Sequence, residues 1–303
     1  MKKQKTVSIK AKLLGVIIPV VIAIVVVLVV AAYQISAGTI KKYSQNLLQS
    51  SVENQASQIE AWLNENLASF QMAKTIIEDL KPSDEELKTI LDGYYGYNSN
   101  YPEGLYVADS TGQLITASES TKKESDVTNS TWYKEGLTRV NMAVGSAYQN
   151  ADGVNVISAS GILNDGSDKV RVISADMTLD RIAIIVNSFI EMNDAEAFLV
   201  DKTSGVILAN RDSSLISQTL GAEGQSHFYQ LTAEKAAEKD YNFATLDGNM
   251  TVFQEVDGTN WLLISYIPTS IVLSDLTQLR NIMIVISVIC IASVSYTHLR
   301  AHE

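Results

Sequence analysis

Two apolar stretches divide the chain and limit what it can fold into. Residues 13–33 run for 21 positions without a charge and are dominated by Val, Ile and Leu. A second such run opens at residues 282–292. A helix needs about 20 apolar residues to cross the hydrocarbon core, so the first run reads as a transmembrane anchor. A secretory signal has a shorter apolar core, about 7–15 residues, closed by small residues at a cleavage site. No such pattern closes this run. Pro19 lies within it, which a membrane helix tolerates.

Basic residues set the orientation. Lys2, Lys3, Lys5, Lys10 and Lys12 precede the first run, with no acid among them. The positive-inside rule places residues 1–12 in the cytoplasm, and residues 36–275 therefore outside it, on a protein of the cell membrane. That outer region holds 16 bases and 33 acids, a net charge of −17. Such a surface repels nucleic acid and anionic lipid, so nucleic acid is excluded as a partner. The only cysteine, Cys290, lies in the second apolar run. No disulfide can form in the outer region, which must be held by its own core, and about 240 residues suffice for one.

The second run stops after about a dozen residues, too few to span, and gives way to VSYTHLRAHE at residues 294–303. That decapeptide resembles a translated transposase adapter from sequencing libraries. The expectation is a natural chain that completes the span at 279–293 and enters a cytoplasmic signalling domain. His298 and His302 fall in this tail, so Cys290, His298 and His302 are not read as a metal site. No cofactor is expected.

Between the runs the pattern is mixed α and β. Residues 36–80 have almost no helix breaker after Gly38. Ile59, Leu63, Phe70, Ala73, Ile77 and Leu80 recur at helical spacing, beside Trp62. At about 1.5 Å per residue this helix rises about 60 Å. It reads as a spine that packs along the modules and pairs with a twin in a homodimer. After Pro82 a short helix is expected at 84–91, then a Tyr-rich loop from Tyr94 to Tyr101, read as packed, with the mouth of a pocket as the alternative. Strands are expected at 104–108 and 113–118 around Asp-Ser-Thr-Gly, a hairpin signal. A helix at 131–140, strands at 154–161 and 169–176 and a helix at 179–192 follow. The order then recurs, with strands at 197–201 and 206–210 around Lys-Thr-Ser-Gly and at 250–256 and 261–267. GLYVADSTGQLITAS and AFLVDKTSGVILAN are parallel segments, which points to two similar modules in tandem.

The long helix, the repeated strand–turn–strand and the flanking apolar runs resemble the double Cache sensor domain of bacterial receptors. SIKAKLL and YSQNLLQSSVENQASQIEAWL look most like methyl-accepting chemotaxis receptors. The resemblance implies an α+β fold, a long N-terminal helix with two tandem PAS-like modules flanked by transmembrane helices. The divisions are a 13–35 anchor, a 36–80 spine, a membrane-distal module at 81–192 and a membrane-proximal module at 193–275. It also implies a small ligand in the distal module, an amine or amino acid, signalled through the membrane helices to cytoplasmic partners.

The family's ligand motif reads Arg-x-Trp-Tyr, then Tyr, then Asp closing a strand. Trp132, Tyr133, Tyr148 and Asp176 match it, while Ser130 stands at the Arg position. On their own, Trp132 and Tyr133 at a helix start read as core aromatics and Asp176 as a strand-end cap; the resemblance makes them ligand contacts. A carboxylate edged by aromatic rings holds an ammonium by ion pair and cation–π contact. Gripping a ligand carboxylate as well needs a guanidinium or equivalent donors, which Ser130 lacks. The site thus reads as fitted to an amine more than to an amino acid, unless Lys134 or Arg139 turns inward. Catalysis is not expected. His227 stands alone in QSHFYQ, and neither a metal-ligand cluster nor a Gly-rich phosphate loop is evident. The alternative is the same sensor joined to a histidine kinase or a cyclic-dinucleotide synthase.

Overall fold

The computed structural model describes residues 9–150, 153–188, 192 and 194–300. Lys2, Lys3, Lys5 and the end of the adapter-like tail lie outside the described residues. Two compact units emerge, one of residues 48–267 and one formed by the terminal segments on either side.

The terminal unit is helical. Helix α1 (Ile9–Leu80) carries the first apolar run, and α7 (Ser274–Arg300) carries the second and stays helical beyond residue 293. By length and composition, both contain a stretch able to cross a membrane. Val16, Val27 and Leu28 are exposed at 62–65%, as side chains that meet lipid would be.

Within the larger unit, α1 is amphipathic. Leu48, Val52, Ala56, Ile59, Leu63, Phe70, Ala73 and Ile77 are buried, spaced three, four or seven apart so that they share one helix face. The helix is fixed to its neighbours by polar hooks. Gln55 Nε2 donates to the carbonyls of Ile185, Val186 and Ser188. Met142 N donates to Gln71 Oε1, and Asn164 N to Glu78 Oε1, both at 2.8 Å. Asp257 N donates to Glu60 Oε1 at 2.8 Å. The first five partners belong to the first module or its trailing segment and the last to the second module, so one helix registers both.

The first module opens with α2 (Asp84–Asp92), capped by Ser83 and Glu86 in a reciprocal capping box. Strands β1 (Leu105–Asp109), β2 (Leu114–Ile115), β3 (Ala143–Gln149), β4 (Asn155–Leu163) and β5 (Arg171–Thr178) form a sheet in the order β2-β1-β5-β4-β3. Helix α3 (Thr131–Gly136) packs on it, and α4 (Asp180–Val186) follows. The second module repeats the plan. Strands β6 (Glu196–Asp201), β7 (Ile207–Asn210), β8 (Ala244–Leu246), β9 (Asn249–Val256) and β10 (Trp261–Pro268) take the order β7-β6-β10-β9-β8. Helix α5 (His227–Ala237) stands where α3 stands in the first module, and a short helix α6 (Thr269–Val272) follows β10. The fold is the α+β arrangement expected.

Several boundaries differ from expectation. Helix α3 ends at Gly136 rather than at residue 140. A Cβ at Gly136 would lie 2.3 Å from Val172 Cγ1, so α3 presses onto the sheet there and the chain turns away. The returning strand β2 has two residues, and α4 is shorter than 179–192, part of which lies outside the described residues. Strand β3 and helix α5 were not expected. His227 begins α5, exposed, 3.8 Å from Asp247.

Candidate ligand-binding site

The first sheet presents an unusual row of side chains. Asp176 pairs directly with Ser158 across β5 and β4. Tyr106 pairs with Ser174, two residues before Asp176, and Tyr148 pairs with Val156, two residues before Ser158. Alternation along a strand has period two, so Tyr106, Asp176, Ser158 and Tyr148 share one face across four neighbouring strands.

Their hydroxyls converge on one oxygen. Tyr106 Oη donates to Asp176 Oδ1 at 2.5 Å, Ser158 Oγ at 2.5 Å and Tyr148 Oη at 2.9 Å. Burial first, then the Asp176 charge, pushes both phenols well above their ordinary range. They remain protonated and act as donors. The other carboxylate oxygen, Oδ2, accepts from Lys122 Nζ at 2.6 Å. The same ammonium lies 4.2 Å from the centroid of the Tyr106 ring. The Lys122 and Asp176 side chains are 10% and 7% exposed, so this is a nearly buried ion pair with an added cation–π contact.

Lys122 comes from a segment without helix or strand. The segment is pinned upstream: Ser118 N and Oγ donate to the Asp92 carboxylate, Ser120 Oγ to Glu103 Oε2, and Lys122 N to Ser120 Oγ. The backbone is thus anchored one turn away while the lysine stem crosses to Asp176.

Above the row opens a cavity of about 430 Å³, within the usual range for small-ligand pockets. Its wall includes Ser130, Tyr148 and Asp176 from the five predicted residues, together with Lys122, Lys123, Glu103 and Glu124. Ser130 caps no amide with its side chain; its Oγ donates to Val127 O at 2.6 Å. Trp132 and Tyr133 are not on the wall. Both are buried in the core of α3 and the sheet. Trp132 meets Tyr106 edge to face at 4.9 Å and donates from Nε1 to Glu124 Oε2 at 2.8 Å. The pair therefore supports the cavity from behind, through Tyr106 and Glu124, instead of lining it.

Neither residue suggested as a substitute for the missing arginine reaches the cavity. Lys134 is exposed. Arg139 lies 3.4 Å from Glu135 and donates to Ala143 O and Ser160 Oγ. The cation beside Asp176 is Lys122, and neither it nor Tyr106 nor Ser158 is among the residues expected from the sequence. Tyr106 carried a usable signal: a hydroxyl placed in a buried strand demands a partner. Lys122 in TKKES carried none. The Tyr94–Tyr101 loop is packed at one end, where Tyr101 meets Phe70 edge to face at 4.8 Å, and exposed at Tyr97. Among the described residues no group of three or more His, Cys, Asp or Glu could hold a metal ion.

The fold is similar to that of solved ligand-binding domains. The ligand-binding domain of the Pseudomonas fluorescens chemoreceptor CtaA, in complex with L-isoleucine, matches with a TM-score of 0.62 at 20% identity, over 79% of this chain and 98% of that one. That of Campylobacter jejuni Tlp3, in complex with L-norvaline, gives 0.61 at 17% identity, over 77% and 94%. That of the Pseudomonas aeruginosa amino acid chemoreceptor PctC, in complex with GABA, gives 0.57 at 19% identity, over 74% and 99%. No curated protein matches the chain by sequence. Residues 32–276 match the family profile described as Cache domain, dCache_1, and the chain is a member of that family.

Proposed function

We propose that this protein is the sensing part of a transmembrane chemoreceptor, binding a small ammonium-bearing ligand, amine or amino acid, in the first module. The observation that carries this reading is Asp176. Its carboxylate faces a ligand-sized cavity, ringed by three hydroxyl donors and a cation, on a sheet face that otherwise builds a core. The solved relatives named above, in complex with amino acids and GABA, support it. So does the continuity of α1 from Ile9 to Leu80, which offers a mechanical link from the module to the apolar segment. The module is read as lying outside the cytoplasm, in a homodimer, without catalytic activity of its own. The alternative output, a histidine kinase or cyclic-dinucleotide synthase, shares this sensor. Sequencing the locus past residue 293 separates the two.

The binding reading is tested by calorimetry of the purified chain against amines and amino acids. Asp176→Asn should weaken the best ligand about ten- to a hundredfold, the loss of one charge-assisted contact. Unchanged affinity in that variant would remove Asp176 from the site.

A further inference from the structure

We infer that Lys122 is the specificity-determining residue of this cavity and that it selects zwitterions: the ligand splits the Lys122–Asp176 ion pair, giving its ammonium to Asp176 and its carboxylate to Lys122. This rests on the reading of the cavity as the ligand site. It revises the preference for a plain amine, which followed from the uncharged Ser130.

The ion pair sets a charge balance at the cavity wall, where both of its side chains are nearly buried. Asp176 Oδ1 is saturated by Tyr106, Ser158 and Tyr148. Oδ2 has Lys122 as its charged partner, so Oδ2 is where an incoming ammonium must bind. That position is occupied by an ammonium already, placed against the carboxylate and the Tyr106 ring. Lys122 is in effect a tethered mimic of the ligand's cationic end. A plain amine can enter only by expelling Lys122 from Asp176, which leaves the lysine ammonium without its ion-pair partner. Stranding one member of a buried pair is strongly unfavourable. A plain carboxylate meets the converse problem, since it draws Lys122 from Asp176 and leaves that carboxylate with neutral donors alone. A zwitterion satisfies both ends at once and leaves the net charge of the cavity unchanged. The other wall charges do not alter this. Glu124 is held by Trp132 Nε1 and Glu103 by Ser120 Oγ, and Lys123 is a second cation on the wall. The segment bearing Lys122 has no helix or strand from residue 121 to residue 126, so the side chain can follow the ligand carboxylate without breaking a strand or helix.

The test is calorimetry of the full chain in detergent micelles against matched triads: L-alanine, ethylamine and propionate; L-leucine, isoamylamine and 4-methylpentanoate; GABA, propylamine and butyrate. At least one zwitterion should bind, with its amine and its carboxylate weaker by about tenfold or more. Lys122→Met should weaken that zwitterion by about tenfold or more while the amine binds as well as before or better, so the preference collapses. Lys122→Arg should keep the preference. An amine that equals its zwitterion in the unaltered chain overturns the inference, and this comparison needs no variant to fold. So does a preference that survives in a folded Lys122→Met protein. Asp176→Asn separates the two levels. If it abolishes binding while Lys122→Met leaves the preference intact, the cavity is the site and only the role of Lys122 fails. If it changes nothing, or if no triad member binds, the site reading fails as well.

Discussion

Position for position, Asp176 in the first module corresponds to Tyr266 in the second. Asp109 closes β1 opposite Arg171, and Asp201 closes β6 opposite Trp261; Asp176 and Tyr266 each lie five residues further along. By the same register Tyr106 corresponds to Phe198. The helices agree too. SerThrTrpTyr enters α3 and SerHisPheTyr enters α5, with Trp132 edge-on to Tyr106 and Phe228 edge-on to Phe198. One plan thus has two outcomes. In the second module the Tyr266 ring lies 4.4 Å from the Phe228 ring, and its hydroxyl donates outward to Glu196 Oε2 at 2.5 Å. In the first module the same place holds a carboxylate, a lysine and open space. A buried ion pair is weak as a stabilising device and easily outdone by apolar packing. The second module shows the apolar solution in the same chain. The first module departs from it at Asp176 and Lys122, beside the cavity.

The largest expected effect tests that difference directly. In the fragment 36–275, Asp176→Ala strands Lys122 and should lower unfolding free energy by about 3–5 kcal/mol, read by urea denaturation with Trp fluorescence. Replacing both members, Asp176→Asn with Lys122→Met, should bring stability back to within about 1 kcal/mol of the parent, or above it, while ligand binding stays lost. A double variant as unstable as the single one would mean that the pair holds the module together and the comparison with Tyr266 misleads.

A second comparison concerns how tightly each helix lies on its sheet. Gly136, four residues after Trp132, corresponds to Thr232, four after Phe228. Thr232 is buried and its Oγ1 donates to Phe228 O at 2.7 Å, so α5 tolerates a side chain there. Helix α3 does not, given the 2.3 Å approach to Val172 Cγ1. Gly136→Ala should destabilise by about 1–3 kcal/mol through overpacking, and Thr232→Ala by about 1 kcal/mol through a lost hydrogen bond. Equal and negligible losses at both positions would show that α3 can rise off the sheet freely.

The smaller effect of Tyr266→Phe sharpens the same contrast. Its phenol is pushed above the ordinary range by burial and by the Glu196 contact, so it stays a donor. Removing the hydroxyl should cost about 1 kcal/mol and leave ligand binding untouched. A change in binding would place the second module in the site.

Much of this was legible in sequence, for local reasons. The buried face of α1 follows from residue spacing as far as Ile77, while Leu80, which shares that spacing, is exposed at the last residue of the helix. The Asp-Ser-Thr-Gly and Lys-Thr-Ser-Gly turns are dictated by short-range chemistry, and they exposed the repeat. Strand β3 was not legible. Its residues are AVGSAYQ, half-buried, with an irregularity between Val144 and Ala147, so no period-two pattern survives. The cavity wall was partly legible. Ser130, Tyr148 and Asp176 do meet at the cavity, whereas Trp132 and Tyr133 have the spacing of ligand contacts but the burial of a core. Lys122 could not be found, because its partner lies 54 residues away in the chain and only the folded sheet brings them together.

The smallest effect, that of Lys169→Met, lies where the two modules agree most. Asp109 and Asp201 both end a first strand and cap the following turn. Asp109 Oδ1 accepts from Thr111 N, Thr111 Oγ1 and Gln113 N, and Asp201 Oδ1 from Thr203 N, Ser204 N and Ser204 Oγ. Asp109 has one addition, Lys169 Nζ at 2.5 Å from Oδ2. Burial alone would raise its carboxyl, but Lys169, Thr111 and the Gln113 amide together hold it at about 2, below the ordinary 3.8. A depressed folded-state pKa adds stability that is complete above the unfolded value and fades as the carboxylate is protonated. Stability should therefore be level above about pH 4 and fall between about pH 4 and pH 2, with Asp109 supplying about 1–2 kcal/mol of the loss. Lys169 is 40% exposed, so solvent screens its share. Lys169→Met should cost about 0.5 kcal/mol at pH 7 and move the acid limb slightly upward, whereas Asp109→Asn should remove most of that limb's Asp109 share. If Lys169→Met costs as much as Asp109→Asn, the ion pair and not the turn geometry holds the carboxylate, and the likeness of the two aspartates is only one of position.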